Sequence, residues 1–289
     1  MIKRYGDVGP AASDQSRSAT IVLGRQIPTF DQSGALVRRT MLVHMTNESD
    51  KSVLRWAGLA SIGGGLLFIL VFVWVIVLAG PDPAGPAGPI TKFPEIRTVR
   101  TVENGLYLAV LVLWVPIYLA LYRRLERTRP APALFGGALA TLGLGVLAAG
   151  AIPHAATSRL SDLYHAVGAS AEDQATLVLV WQGTQGIFDA LLLAGLLVTS
   201  IGIVLLGLAM QADPAFGKGA TWISVLLGTA GLAAGILVLI DPGSLVAALG
   251  IFALIGFHLV LGWKVYRLSK MVPSAHGQWA EPGTTNPVS

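Results

Sequence analysis

The chain has 289 residues, of which 53% are hydrophobic and only 12% charged, with a mean hydropathy of +0.66. Soluble domains carry about twice that share of charge, so the composition excludes an ordinary water-soluble fold and fits an integral membrane protein. There is no cysteine, which removes disulfides, thiolate metal sites and cysteine nucleophiles, and the net charge of +4 reads as basic loops at a membrane face and not as a nucleic-acid surface.

Residues 1–44 are polar and lack apolar periodicity, which predicts a disordered N-terminal tail reaching residue 51. Met45 opens "MTNESDKSVLRWAGL", a polar leader directly before an apolar run. Two readings of the tail stand side by side: a translation start at Met45, or a genuine extension. The first span is predicted over Trp56 to Gly80. Its run is too long for the roughly 7–15-residue apolar core of a signal peptide. "GPDPAGPAGP" (80–89) is a Pro/Gly linker that disfavours helix. The second span runs from about Asn104 to Tyr122, with a kink expected at Pro116, and the third from about Ala133 to Ile152.

Ser170-Ala-Glu-Asp173 has the form of a capping box and opens an apolar run ending near Met210. One helix over that run would be about 60 Å long, against a hydrocarbon core of about 30 Å. Counting back about 20–23 residues from Met210 puts the membrane boundary near Ile187 to Asp189. A bend is therefore predicted at "GTQG" (183–186), with an outer helical cap at about 155–185. The fifth and sixth spans cover about Ala220 to Ile240 and Ser244 to Val265, joined by a turn at Asp241-Pro242-Gly243. Residues 271–289 are predicted to be a second disordered tail. The expected fold is all-α: a six-span transmembrane bundle over 52–270 between two polar tails.

Lysine and arginine in short loops set orientation. Lys51, Arg55, Arg123, Arg124, Arg127, Arg129, Lys218, Lys264, Arg267 and Lys270 fall on one side, and Lys92, Arg97, Arg100 and Arg159 on the other. That bias predicts both termini in the cytoplasm. Gly136/Ala140, Gly145/Ala149, Gly228, Gly231, Gly235 and Gly63-Gly64-Gly65 form small-residue faces. Such faces serve packing within the chain or a homo-oligomer contact.

Several membrane chemistries are excluded by what they require. Paired intramembrane histidines for haem are missing, since His258 alone lies inside a span. There is no intramembrane lysine for a retinal Schiff base, no H-E-x-x-H, no G-x-S-x-G and no phosphate-binding loop. A facing pair of intramembrane carboxylates is also missing. No catalytic residue, metal site or cofactor is expected. His258 reads either as a histidine bonded to a neighbouring helix or as a proton relay.

Gln182, Gln185 and Asp189, spaced three and four apart, share one helix face. Glu103, Asn104 and Tyr107 open the second span and His154 closes the third on the same outer side, with Arg97, Arg100 and Arg159 in adjoining segments. These residues either form a shared outward-facing polar pocket around Asp189 or are polar because water is near.

"RWAGLASIGGG", "YLALYRRLERTRPAPALFGGALATLGLG" and "IGIVLLGLAMQADPAFGKGATWISVLLGTAGLAAG" resemble a family of six-span integral membrane proteins of actinobacterial type. The resemblance implies a multi-pass protein of a bacterial cytoplasmic (inner) membrane and carries no activity onto any residue. Two functions follow as expectations. One is a non-catalytic scaffold, sensor or assembly partner with the lipid bilayer as its surroundings. The other is a transporter or lipid-modifying protein using the pocket around Asp189.

Overall fold

The computed structural model describes the backbone of residues 31–241, 244 and 246–271, and the side-chain surroundings of all of these but 31–48 and 247. Seven helices follow in chain order: α1 (Asp31–Ala79), α2 (Gly88–Leu125), α3 (Pro130–Ala149), α4 (Ala151–Tyr164), α5 (Ala171–Met210), α6 (Gly217–Ile240) and α7 (Val246–Met271). Six helical segments are long and apolar enough to cross a membrane: Ser49–Ala79, Gly88–Leu125, Pro130–Tyr164, Ala171–Met210, Gly217–Ile240 and Ala248–Met271. The protein is a multi-pass integral membrane protein with six spans. Helices are the solution because lipid offers the backbone no hydrogen-bond partners.

The predicted tails lie largely outside the described residues. Where residues 31–51 are described, the backbone is helical and not irregular. Extending an existing helix costs far less than nucleating one, so α1 can propagate toward the N-terminus through weakly helical sequence. At its other end α1 stops at Gly80, whose φ of +60° is the left-handed conformation that closes many helices. The turn predicted at 241–243 falls mostly outside the described residues.

The spans close into a ring held by small residues. Gly58 of α1 and Gly262 of α7 abut backbone to backbone, and Gly64 of α1 lies flat against the Trp114 indole of α2. Gly136, Ala140 and Gly143 of α3 meet Gly195, Thr199 and Gly202 of α5. Gly228, Gly231 and Gly235 of α6 face Val204, Ser200 and Leu197 of α5. The faces around Gly136/Ala140 and along α6 thus serve packing inside the chain, whereas Gly63 and Gly145 have open space where a Cβ would stand. The core centres on Trp114, Tyr118, Leu121, Leu206 and Phe257.

Three helical arms outrun the membrane. At 1.5 Å per residue the 38 residues of α2 and 40 of α5 each span roughly twice the hydrocarbon thickness. The first part of α2, all of α4 and the first part of α5 form a cap with its own small core of Ile90, Phe93 and Trp181, flanked by Leu160, Tyr164 and Leu177. Arg97 of α2 pairs with Asp162 of α4 across it. The capping box forms: Ser170 Oγ accepts from the Asp173 N–H at 3.1 Å, and the Asp173 carboxylate accepts from the Ser170 N–H at 3.2 Å.

The helix does not break at the predicted bend, 183–186. Helix α5 is continuous from Ala171 to Met210, and Thr184 Oγ1 donates back to the Val180 carbonyl at 2.8 Å in the middle of that stretch. The count of 20-odd residues limited the span and not the helix. Packing of Leu177, Val178 and Trp181 against α2 and α4 carries the helix on into the cap. The break falls between α3 and α4 instead. Pro153 has no N–H to offer the Ala149 carbonyl, and the helix interrupts at Gly150, one turn before it.

Candidate functional site

Three contacts bring α2, α3, α4 and α5 to a common level at the base of the cap. Tyr107 donates its hydroxyl to the Leu147 carbonyl at 3.0 Å, and Asn104 Nδ2 donates to the Ala151 carbonyl at 3.3 Å. Gly150 packs against the Phe188 ring. That level lies about 20 residues from the far ends of α3 and α5, one hydrocarbon thickness away. Asn104 and Tyr107 therefore have a structural task, supplying donors to carbonyls on either side of the α3–α4 break.

The remaining polar residues of that level converge on two adjoining spaces. A cavity of about 300 Å³ inside the cap is lined by Arg100, Glu103, His154 and Gln185, with Phe93, Trp181, Phe188 and Asp82 around them. A crevice of about 230 Å³ shares Glu103, His154 and Phe188, and continues along α1 past Phe68, Val71, Phe72, Val75 and Ile76. The two adjoin at the shared residues as the halves of an amphipathic cleft, polar in the cap and apolar where α1 faces α2 and α5.

Arg100 Nη1 donates to Glu103 Oε2 at 2.9 Å, with the two side chains only 24% and 21% exposed. The His154 ring stands edge-on to Phe188 at 5.2 Å between centroids, and its backbone carbonyl accepts from Thr157 Oγ1 at 2.6 Å. The His154 ring nitrogens, the second Glu103 oxygen and the Gln185 amide hold no hydrogen bond to the described protein. They remain available to a ligand.

Asp189 is not in this cleft. It is exposed on the other side of α5 and lines a separate groove of about 330 Å³ with Leu192, Leu193, Leu196, Val238 and Ile251. Successive helix residues point about 100° apart, so Phe188 faces the cleft and its neighbour turns away. Gln182 is exposed as well and lines neither cavity. Of the predicted set, the structure joins Glu103, Asn104, Tyr107, His154 and Gln185, and leaves Gln182 and Asp189 outside. Among the residues not predicted, Trp181 and Phe188 carry a readable signal, because they flank Gln185 at the four- and three-residue spacings of one helix face. Phe93, Arg100 and Glu103, seven and three residues apart, likewise share one face of α2.

His258 lies fully buried in the centre of the bundle. Its Nδ1–H donates to the Leu254 carbonyl of its own helix at 2.8 Å, and its ring stacks on Trp114 at 3.9 Å with a 12° tilt. Its backbone carbonyl accepts from Ser61 Oγ of α1 at 2.9 Å. The residue thereby ties α7 to α1 and α2. At the opposite, basic end, Arg124 donates to Asp213 at 2.9 Å, joining α2 to the α5–α6 turn, and Asp213 also accepts from the Ala215 N–H at 3.0 Å. Among the described residues no cluster of three metal-ligating side chains occurs.

Fold and cleft together define a class: a six-span integral membrane protein whose helical cap covers a polar recess adjoining an apolar crevice. No family model, curated protein or solved structure matches the chain.

Proposed function

We propose that the protein is a non-catalytic membrane binding protein, a sensor or assembly partner, that holds one amphipathic lipid in the cleft beneath its cap. The observation that carries this reading is that a polar and an apolar space adjoin at Glu103, His154 and Phe188, which line both. A lipid headgroup would meet Arg100, Glu103, His154 and Gln185, and an acyl chain would lie against Phe68, Val71 and Val75. Moving a chain from bilayer to crevice gains little by itself, since lipid tails are as apolar as the lining. Selection falls to the polar half.

The distribution of lysine and arginine supports an orientation with the basic end, and both termini, in the cytoplasm and the cap outside. With the resemblance to actinobacterial six-span proteins, it supports a bacterial cytoplasmic membrane. A transporter or lipid-modifying protein built around Asp189 has no comparable support, because that carboxylate stands apart from the cleft.

The test is native mass spectrometry of the full chain in mild detergent, with dioleoyl phospholipids added after delipidation. One tightly held lipid per chain is expected. Val75→Trp, which fills the crevice, should abolish it, and Val73→Trp, on the lipid-exposed side of the same helix, should not. Equal retention by wild type and Val75→Trp would refute the cleft as the site.

A further inference from the structure

We infer that the lipid headgroup taken by the cleft is zwitterionic, a phosphate with a cationic nitrogen a short linker away, as in phosphatidylethanolamine or phosphatidylcholine. This inference rests on the lipid-binding reading above and adds the chemistry of the head.

Charge is the first argument. The ionised side chains lining the cap cavity are Arg100, Glu103 and Asp82, one positive and two negative. Of the neighbouring cations, Arg97 is paired with Asp162, and Lys92, which keeps its charge, donates to the Pro81 carbonyl at 2.7 Å outside the cavity lining. A head bearing only negative charge would enter a recess with a surplus carboxylate. A head bearing both signs gives Arg100 an anion and leaves a cation for the acidic side. An uncharged head would leave that surplus unanswered.

Spacing is the second argument. Arg100 and Glu103 are three residues apart on α2 and so neighbours on one face. They hold one another at 2.9 Å, so a head carrying both signs enters by opening that pair. The head would take over each partner of the Arg100–Glu103 pair in turn, phosphate to guanidinium and nitrogen to carboxylate. Charge-assisted hydrogen bonds of this kind are the stronger ones.

The third argument is the wall beside Glu103. Phe93 and Trp181 meet edge to face at 5.3 Å and both line the same cavity, with Phe188 nearby. Aromatic faces attract ammonium and quaternary ammonium groups. The nitrogen is thus met by a carboxylate and by aromatic rings, a combination that fits ethanolamine and choline heads alike.

The experiment titrates the delipidated full chain in detergent with dioleoyl phosphatidylethanolamine, phosphatidylcholine and phosphatidylglycerol separately, and counts bound lipid by native mass spectrometry. The two zwitterionic lipids should bind about tenfold more tightly than phosphatidylglycerol, the worth of one charge-assisted hydrogen bond in a partly screened site. Glu103→Gln should erase or reverse that ratio, because the lining then balances to zero. Asp82→Asn, in an exposed segment before α2, should shift the ratio the same way by less, and serves if Glu103→Gln fails to fold. Phosphatidylglycerol binding as tightly as the others to wild type, or a ratio unmoved by both variants, would overturn the inference while leaving the lipid-binding reading intact. Loss of binding for all three lipids would overturn both.

Discussion

Gly143 and Gly145 stand two residues apart on α3 and should respond to the same substitution with opposite signs. A Cβ on Gly143 would lie 2.5 Å from the Thr199 nitrogen and 2.8 Å from the Gly195 oxygen, both backbone atoms of α5. Ordinary contact needs about 3.4 Å or more, so α3 and α5 would have to part by close to 1 Å. A gap of that size forfeits about a quarter to a half of the dispersion well for atoms on either side. Overpacking of this kind costs roughly 1–3 kcal/mol, more than the gain of about 1 kcal/mol that alanine brings to a helix over glycine. Gly143→Ala should therefore lower the thermal midpoint in detergent by several degrees. Gly145→Ala meets nothing within 4 Å and should hold or raise it. Fluorescence-detected gel filtration after heating, on both variants and wild type, reads the difference. Destabilisation by Gly145→Ala equal to that of Gly143→Ala would refute the assignment of faces. A Gly145→Ala loss that appears together with a shift from a larger to a smaller particle would identify Gly145 as part of a contact between copies of the chain.

Tyr107→Phe removes the donor to the Leu147 carbonyl and should cost about 1 kcal/mol, read as a lower thermal midpoint with full membrane insertion retained. Asp213→Ala strips Arg124 of its partner and Ala215 of its acceptor at a residue only 7% exposed, and should cost about 1–3 kcal/mol in the same assay. Ser170→Ala breaks the capping box and should loosen the start of α5 by about 1 kcal/mol, visible as faster amide exchange over 171–177. Asp189→Asn should leave lipid binding in the cleft unchanged, since its groove is a separate one; loss of binding would return Asp189 to the site.

The spans were readable because lipid imposes a strong rule: about 20 apolar residues, all helical. That rule located the six spans. It failed where it was made to do a second job. A hydrocarbon thickness limits how much of a helix is in lipid, but it says nothing against a helix continuing into water when other helices cover it. Helices α2 and α4 provide that cover, through Phe93, Ile90 and Leu160 against Trp181 and Leu177. The glycines at 183 and 186 suggested a hinge, but a Cβ at either position would meet nothing within 4 Å. Pro153 was the stronger breaker, because proline removes a donor and glycine removes only a side chain.

The site was half readable for a related reason. Depth follows from counting residues, and the count brought Glu103, Asn104, Tyr107, His154 and Gln185 to one level. Direction within that level depends on which helix stands beside which, and that is decided by close glycine contacts such as Gly195 against Gly143 and Gly202 against Gly136. Those contacts fix the rotation of α5 about its axis, turning Trp181, Gln185 and Phe188 inward and Asp189 outward by a single helical step. The same polar level then divides in two. Asn104 and Tyr107 spend their donors on the α3–α4 break, while Glu103, Arg100 and His154 keep unused valences toward the cavity. Tying α2 to the end of α3 and the start of α4 thus accounts for part of the polarity at this level, and what remains after that is the part with something left to bind.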